Sequence, residues 1–529
     1  NSGIVEIVTG TLNLPNGGTS SGSFSIPAGT TLMTDSSTFA AGSSLSGAGI
    51  AVHRWSQVRG TYNIAGSSQF LAGTNTFYAS ADVQSVGSPV AITNATLVLN
   101  SGETISTSTL TLTSAGLTGT DTVNVSGLTT LAGISGSNIY GNRVTNLNGG
   151  LLLDTSVGGQ YFQSGTINVF GTLTHTGPNS LYLHDQSTIN VPSGVVWDVS
   201  GDFGVVHGGG GLSTINSAGT FRKSSGSGTT TLNAIFNNSG IVEIVTGTLN
   251  LPNGGTSSGS FSVPAGTTLM TDSYTFAAGS SVSGAGSVTL VSCNVRGTYD
   301  IAGSSVFGGT TTFHASSNVQ NAGSTILVVN GTVEFSSGEA ISTTALTLST
   351  GILIGSDTVS VSGLTTMAGN VSRMLGPGIT NVNGGLLIDT TVNVQDFVGR
   401  TVNVSGTATL SGVTNLRVAD GATINLLSGA VWDVQGDIGF GYLGGANSTF
   451  NNAGTFRKSA GTGTTALDVI FNNTNTVEIM TGTLNLINVV QYTGGQLTGG
   501  EFIVRSGTTL TFPAGPNIST NQGLSLIHI

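Results

Sequence analysis

Residues 1–49 of this chain return almost unchanged at 238–286, differing at Ile26/Val263, Ser37/Tyr274 and Leu45/Val282. Self-similarity at a fixed period marks an architecture in which each unit buries its apolar face against the next. The offset is 237 residues at Asn1/Asn238, 236 at Phe77/Phe313 and 235 at Trp197/Trp432. A third copy opens at Asn473, where Thr476-Val477-Glu478-Ile479 matches Ile4-Val5-Glu6-Ile7. The chain divides into a first long repeat (1–237), a second (238–472), the start of a third (473–522) and an off-pattern tail (523–529). The tail is read as foreign to the native protein and is set aside.

A shorter period runs inside the long one. Ile215-Asn-Ser-Ala-Gly precedes Phe236-Asn-Asn-Ser-Gly by 21 residues, and Phe450 precedes Phe471 by 21 again. Gly10 and Gly29 open like segments 19 apart. Within each unit, alternating stretches such as Thr109-Leu110-Thr111-Leu112-Thr113 sit between Gly or Asn turns, which is the strand signal. Sustained helical periodicity with a capping box is missing. The chain is therefore expected to be all-β, a parallel (right-handed) β-helix or β-solenoid with coils of about 19–23 residues. Inward Val, Ile, Leu and Phe would stack in columns, and the Phe-Asn-Asn corners would form amide ladders. At about 4.8 Å per coil, some two dozen coils would extend for roughly 100 Å. Leu486 matches Leu14 and Phe502 matches Phe24, so six residues are inserted within 487–499. Insertions are tolerated at the surface, which predicts an outward loop at Pro15–Gly22.

Composition narrows the partners. Disorder needs low hydropathy and high charge, whereas mean hydropathy here is +0.26 and 7% of residues are charged. Twelve Lys and Arg against 23 Asp and Glu, without a basic run, leave no electrostatic footprint for nucleic acid or an anionic membrane. No apolar run is long enough to span a bilayer. The lone Cys293 excludes an intrachain disulfide framework and a cysteine zinc site.

The stretches Gly-Thr-Tyr-Asn-Ile-Ala-Gly (60–66), Phe-Arg-Lys-Ser-Ser-Gly-Ser-Gly-Thr-Thr-Thr-Leu (221–232) and Val-Glu-Ile-Val-Thr-Gly-Thr-Leu-Asn-Leu (242–251) resemble the β-strand repeats of large exported bacterial proteins. That group includes autotransporter passengers and filamentous-haemagglutinin-like adhesins. The resemblance is one of texture over nearly the whole chain. It implies a β-helix and a secreted or cell-surface role, and carries no catalytic residue across.

Candidate sites were weighed against structural readings. His53, His175, His184, His207 and His314 face Leu290, Leu410, Ala419, Tyr442 and Tyr78 in the other copy, so a histidine triad or metal site is missing from at least one copy. Recurring carboxylates cluster most tightly in Trp197-Asp198-Val199-Ser200-Gly201-Asp202 and Trp432-Asp433-Val434-Gln435-Gly436-Asp437. They suggest a weak Ca²⁺ or sugar site near Asp198/Asp202 or Asp433/Asp437, or an acid pair. Turn-capping Asp at strand ends is the favoured reading, since the nonapeptide Ca²⁺ pattern is missing. His53-Arg54-Trp55 pairs a cation with an aromatic, but its counterpart Leu290-Val291-Ser292 is ordinary strand. Arg222-Lys223 and Arg457-Lys458 are read as a solvated edge guard. Thr-x-Thr runs raise ice binding, which uneven coil lengths oppose.

No catalytic, cofactor-binding or metal residue is expected. The expected function is a non-catalytic, structural or adhesive rod segment of a large exported bacterial surface protein, meeting surface glycans or neighbouring copies of itself. The alternative is a carbohydrate-binding or polysaccharide-cleaving β-helix. Because neither end shows a polar capping coil, end-to-end association is expected.

Overall fold

Alternation of Thr, Asn and Ser with Val, Ile and Leu gives each short strand an inward and an outward edge, and a one-residue slip would exchange them. In the computed structural model, which describes residues 1–493, 496–497, 499–512, 518–519 and 525–528, this alternation builds a parallel β-solenoid of about 24 turns. No helix occurs among the described residues. The chain forms two compact units, Asn1–Ser262 with Gly266–Thr271, and Val263–Ala265 with Asp272–Ile529.

In the first unit each coil feeds three sheets in turn. Its first coil places Ile4–Glu6 in sheet one, Thr11–Leu14 in sheet two and Gly18–Ser20 in sheet three. The next coil lays Ser23–Ser25, Thr31–Asp35 and Ser37–Phe39 beside them in parallel. Register makes columns: Val5, Phe24, Leu45 and Tyr62 align in sheet one, the last three buried. Leu173, Trp197, Phe221 and Val242 align in sheet two, all fully buried. The second unit repeats the scheme, with Val328, Leu348, Met367, Ile388, Leu410 and Val434 on one inward line. Burial of each such side chain contributes roughly 1.5–3 kcal/mol.

Coil length varies more than the expected 19–23 residues. Register partners Ser44 and Thr61 are 17 apart, whereas Thr188 and Thr214 are 26 apart. Strand pairing is the fixed quantity, and the corners absorb the difference. One corner is tight. Between sheets two and three, Ser36, Trp55, Gly73, Asn94 and Ser114 hold φ between 48° and 60° in successive coils, and Ser273, Ser292, Gly309, Asn330 and Thr350 do so in the second unit. Non-glycine residues adopt this left-handed conformation at a cost of roughly 1–2 kcal/mol each, which the flanking ladders offset.

Two expectations need correction. The outer asparagines form ladders in mid-strand, not at corners: Asn237 lies inside Ile235–Asn238, and its neighbour Asn238 is buried at the strand end. Pro15–Gly22 is not a free loop, because Gly18–Ser20 is a strand paired with Ser37–Phe39, with Pro15 and Asn16 at the exposed corner before it. In the third copy the extra residues emerge as a hairpin, Tyr492–Thr493 against Gln496–Leu497, while 494, 495 and 498 lie outside the described residues. Of the off-pattern tail, 523, 524 and 529 also lie outside them, and Ser525–His528 runs antiparallel to Glu501–Val504. No helix among the described residues is long and apolar enough to cross a membrane.

Candidate functional site

The Trp-Asp-Val-x-Gly-Asp and Phe-Arg-Lys motifs, 24 residues apart at Trp197 and Phe221, meet in space because the coil between them brings their strands into register. Trp197 aligns with Phe221, Asp198 with Arg222 and Val199 with Lys223. Lys223 therefore falls on an inward line between Val199 and Ile244, and Lys458 falls between Val434 and Ile479. Both lysines are fully buried, which overturns the edge-guard reading. A register shift after Val199 and after Val434 opens the corner into which the ammonium turns. Lys223 Nζ donates to Gly201 O (3.0 Å), Asp202 Oδ1 (2.8 Å) and Ser225 O (3.1 Å). Lys458 Nζ donates to Gly436 O (2.9 Å), Asp437 Oδ1 (2.8 Å) and Ala460 O (2.9 Å). Three donors meet three acceptors, which is what makes a buried ammonium tolerable.

This clasp decides what the acids do. The Lys223 hydrogen bond, with Gly228 N–H, holds Asp202 below the usual carboxylate range. Asp437 is lowered chiefly by Lys458, against a smaller opposing effect of burial. Burial is the largest influence on Asp433 and pushes its pKa up, but bonds from Arg457, Gln435 and Ser459 together outweigh it and the net direction is down. Asp198 and Asp433 point outward along sheet two toward Arg222 and Arg457. Arg457 Nε reaches Asp433 at 3.0 Å, whereas Arg222 turns to Glu243 at 2.6 Å and leaves Asp198 Oδ1 buried without a hydrogen bond. A general acid needs a raised pKa. Asp202, Asp433 and Asp437 are instead each bonded to a cation that lowers their pKa, and no group of three or more metal-binding side chains occurs among the described residues.

The histidines scatter. His53 lies on the inward face, its Nδ1 2.9 Å from Thr34 Oγ1 and its Nε2 3.0 Å from Tyr62 Oη, which in turn meets Ser68 Oγ at 2.8 Å. Burial lowers its pKa to about 4. His175 takes the inward position of Leu410, 4.5 Å from Phe203, and burial lowers it to about 4 as well. His53 is thus separated from Trp55, which stands half-exposed over Gly73 at the left-handed corner beside the exposed Arg54.

The amide ladders expected from Phe-Asn-Asn do form, but they run along outer mid-strand lines that sequence reasoning did not place. Asn124, Asn146, Asn168, Asn190, Asn216 and Asn237 pass one amide hydrogen bond to the next at 2.7–3.0 Å. A groove of about 420 Å³ follows them, with Phe170, Val191 and Pro192 also lining it. The second copy repeats the ladder from Asn381 through Asn403, Asn425 and Asn451 to Asn472. The signal lay in Thr-Ile-Asn-Val at 166–169 and 188–191, Thr-Val-Asn-Val at 401–404 and Thr-Ile-Asn-Leu at 423–426. Another outer line differs between copies: Tyr161 and Tyr182 stack at 5.0 Å in the first, where Asp396 and Arg417 form a two-pronged ion pair at 2.7 Å in the second.

The fold and these ladders define the class, a β-solenoid repeat protein. No protein-family model matches the chain, and comparison with characterised proteins and with solved structures finds no match either.

Proposed function

We propose that the chain is a structural or adhesive segment of a large exported bacterial surface protein and performs no catalysis. One observation carries this reading. The polar groups common to both copies, the Lys–Asp clasps and the Asn ladders, are spent on holding coil to coil, and three of the four acids of the tightest cluster, Asp202, Asp433 and Asp437, pair with a cation. A wall of amides and hydroxyls with few charges suits hydrated polysaccharide, so surface glycans are the expected partner, with neighbouring copies of the chain as the other. The test is display of the chain on a bacterium that does not otherwise adhere. Retention on a polysaccharide-coated surface is expected. Release of reducing or unsaturated ends from a polysaccharide panel, lost on Asp202→Ala or Asp437→Ala, would overturn it.

The alternative, a dedicated carbohydrate-binding face, is favoured by the Tyr161–Tyr182 stack beside Gln163 and Asp185, themselves joined at 2.8 Å. Its test is Tyr161→Ala/Tyr182→Ala, which abolishes glycan retention under that reading and leaves it unchanged if adhesion is spread along the wall.

A further inference from the structure

The long repeat is out of step with the coil. Within the first unit an unbroken line of register partners in sheet two starts at Leu12, passes through Leu32, Leu110, Leu173 and Phe221, and reaches Val242. Val242 is the repeat equivalent of Val5, not of Leu12. Val5 itself stands in sheet one, aligned with Phe24 and Leu45. The equivalent of Leu12 is Leu249, which pairs with Thr230 in sheet three. Each sheet of the first copy has thus handed its sequence to the next sheet in the second.

Counting segments gives the reason. From Ile4–Glu6 to Ile235–Asn238 there are 33 strands, and Ser67–Phe77 serves both sheet two and sheet three, which makes 34 segments. Three segments make a coil, so 34 is eleven coils and one segment over. From Ile241–Ile244 to Thr464–Asn473 there are 31 strands, of which Ser304–Phe313, Thr325–Phe335 and Thr464–Asn473 each serve two positions, which makes 34 again. Two copies that differ in loop lengths keep the same remainder.

We infer that, within the first unit, the opening of the second copy is turned by one third of a turn from the opening of the first, so that the patch at Thr19 and its equivalent at Thr256 face different sides. A flat partner then meets one of the two. A partner that surrounds the chain meets both. The partner this geometry fits is a network of neutral polysaccharide, whose hydroxyls suit outward Asn, Ser and Thr. The choice of glycan rests on the adhesive reading above, whereas the rotation does not.

Thr19 and its equivalent Thr256 are both exposed, in sheet three and sheet one, and Cys293 is buried. The full chain carrying Thr19→Cys and Thr256→Cys, biotinylated and decorated with streptavidin, should show two tags about 120° apart in electron-microscopic averages viewed down the solenoid axis. Tags on one side would overturn the inference. Insertion of a weak peptide epitope after Asn16 and after the equivalent Asn253 gives a second readout. On a flat antibody-coated chip the doubly tagged chain should leave within about twofold of the singly tagged one, and in an antibody-bearing gel it should be held about 10- to 100-fold longer. An avidity gain on the flat chip would overturn the rotation. Failure of the untagged chain to be retarded by a neutral polysaccharide gel would instead remove the glycan and leave the rotation standing.

Discussion

Around Tyr161 in the first copy and Asp396 in the second, one backbone carries opposite chemistry. Gln160-Tyr161-Phe162 and Gln395-Asp396-Phe397 share the buried Gln and the inward Phe, yet the outward residue is an aromatic in one and a nearly fully buried carboxylate between Arg373 and Arg417 in the other. Close by, the copies exchange an arginine. The first has Arg143 and Gly165 where the second has Gly378 and Arg400. Arg143 Nη2 donates to Leu117 O at 2.7 Å, and Arg400 binds Thr380 Oγ1 and the carbonyls of Gly355, Asp357, Leu375 and Ile379. A Cβ on Gly378 would lie 2.7 Å from the carbonyl oxygens of Gly355 and Asp357 and 2.9 Å from Arg400 Nη1, so the space that a side chain there would need holds the carbonyls that Arg400 binds. The solenoid demands inward volume and satisfied corners, and it leaves open which coil supplies them and what the outer edge carries.

The largest expected effect tests that exchange. Arg400→Gly strips five hydrogen bonds, three of them fully buried, and should lower stability by on the order of 3 kcal/mol in urea denaturation. Adding Gly378→Arg, the first-copy arrangement, should recover part of the loss. Strictly additive losses would mean that the two corners are not interchangeable.

Acid should separate the copies next. His53 and His175 are held at about 4 by burial against 6.5 when unfolded, and Leu290 and Leu410 replace them in the second copy. The unfolded chain binds more protons between those values, so stability falls as pH drops from 6.5 towards 4, by up to about 3 kcal/mol per histidine. Amide exchange at pH 4.5 against pH 7 should therefore loosen the coils around His53 and His175 more than those around Leu290 and Leu410, and His53→Leu should flatten the response nearby. Equal loosening in both copies would contradict this.

The clasp should behave alike in both copies. Lys458→Met removes the ammonium from Ala460 O and Asp437, with Gly436 O keeping Thr465 Oγ1 at 3.2 Å, and should cost about 1–2 kcal/mol, with Lys223→Met matching it. Asp437→Asn, at a carboxylate that is partly in water, should cost less than either. A neutral Lys458→Met would reduce the clasp to packing. Smallest of all, Asn190→Ala removes two half-buried ladder hydrogen bonds, to Asn168 and from Asn216, and should cost about 0.5–1 kcal/mol by the same denaturation, and the same at Asn403.

Fold class was legible because period-2 alternation and self-similarity survive in every coil, as in Thr166–Val169 and Thr188–Val191. The clasp was not. Lys223 sits at an alternation position that should be apolar, and the register shift after Val199 that lets its ammonium reach Asp202 is a backbone event with no residue signature. The ladder was half legible: the asparagines were noticed as Phe-Asn-Asn, but their place in mid-strand depends on which residue of each pair faces outward. The one-third-turn remainder needs the segment count, which Ser67–Phe77 hides by running through a corner without a break in pairing.

Parallel, in-register stacking of one coil on the next underlies the whole account, and cross-linking tests it most directly. Asn381 and Asn403 are register partners on the outer face, and Asn425 lies one coil further. Neighbouring coils place Cα atoms about 4.8 Å apart, within disulfide reach, whereas two coils span about 9.6 Å, beyond it. Asn381→Cys with Asn403→Cys should oxidise readily to an intrachain disulfide, and Asn381→Cys with Asn425→Cys should stay reduced. A disulfide in the second pair and none in the first would contradict the register and the solenoid built on it.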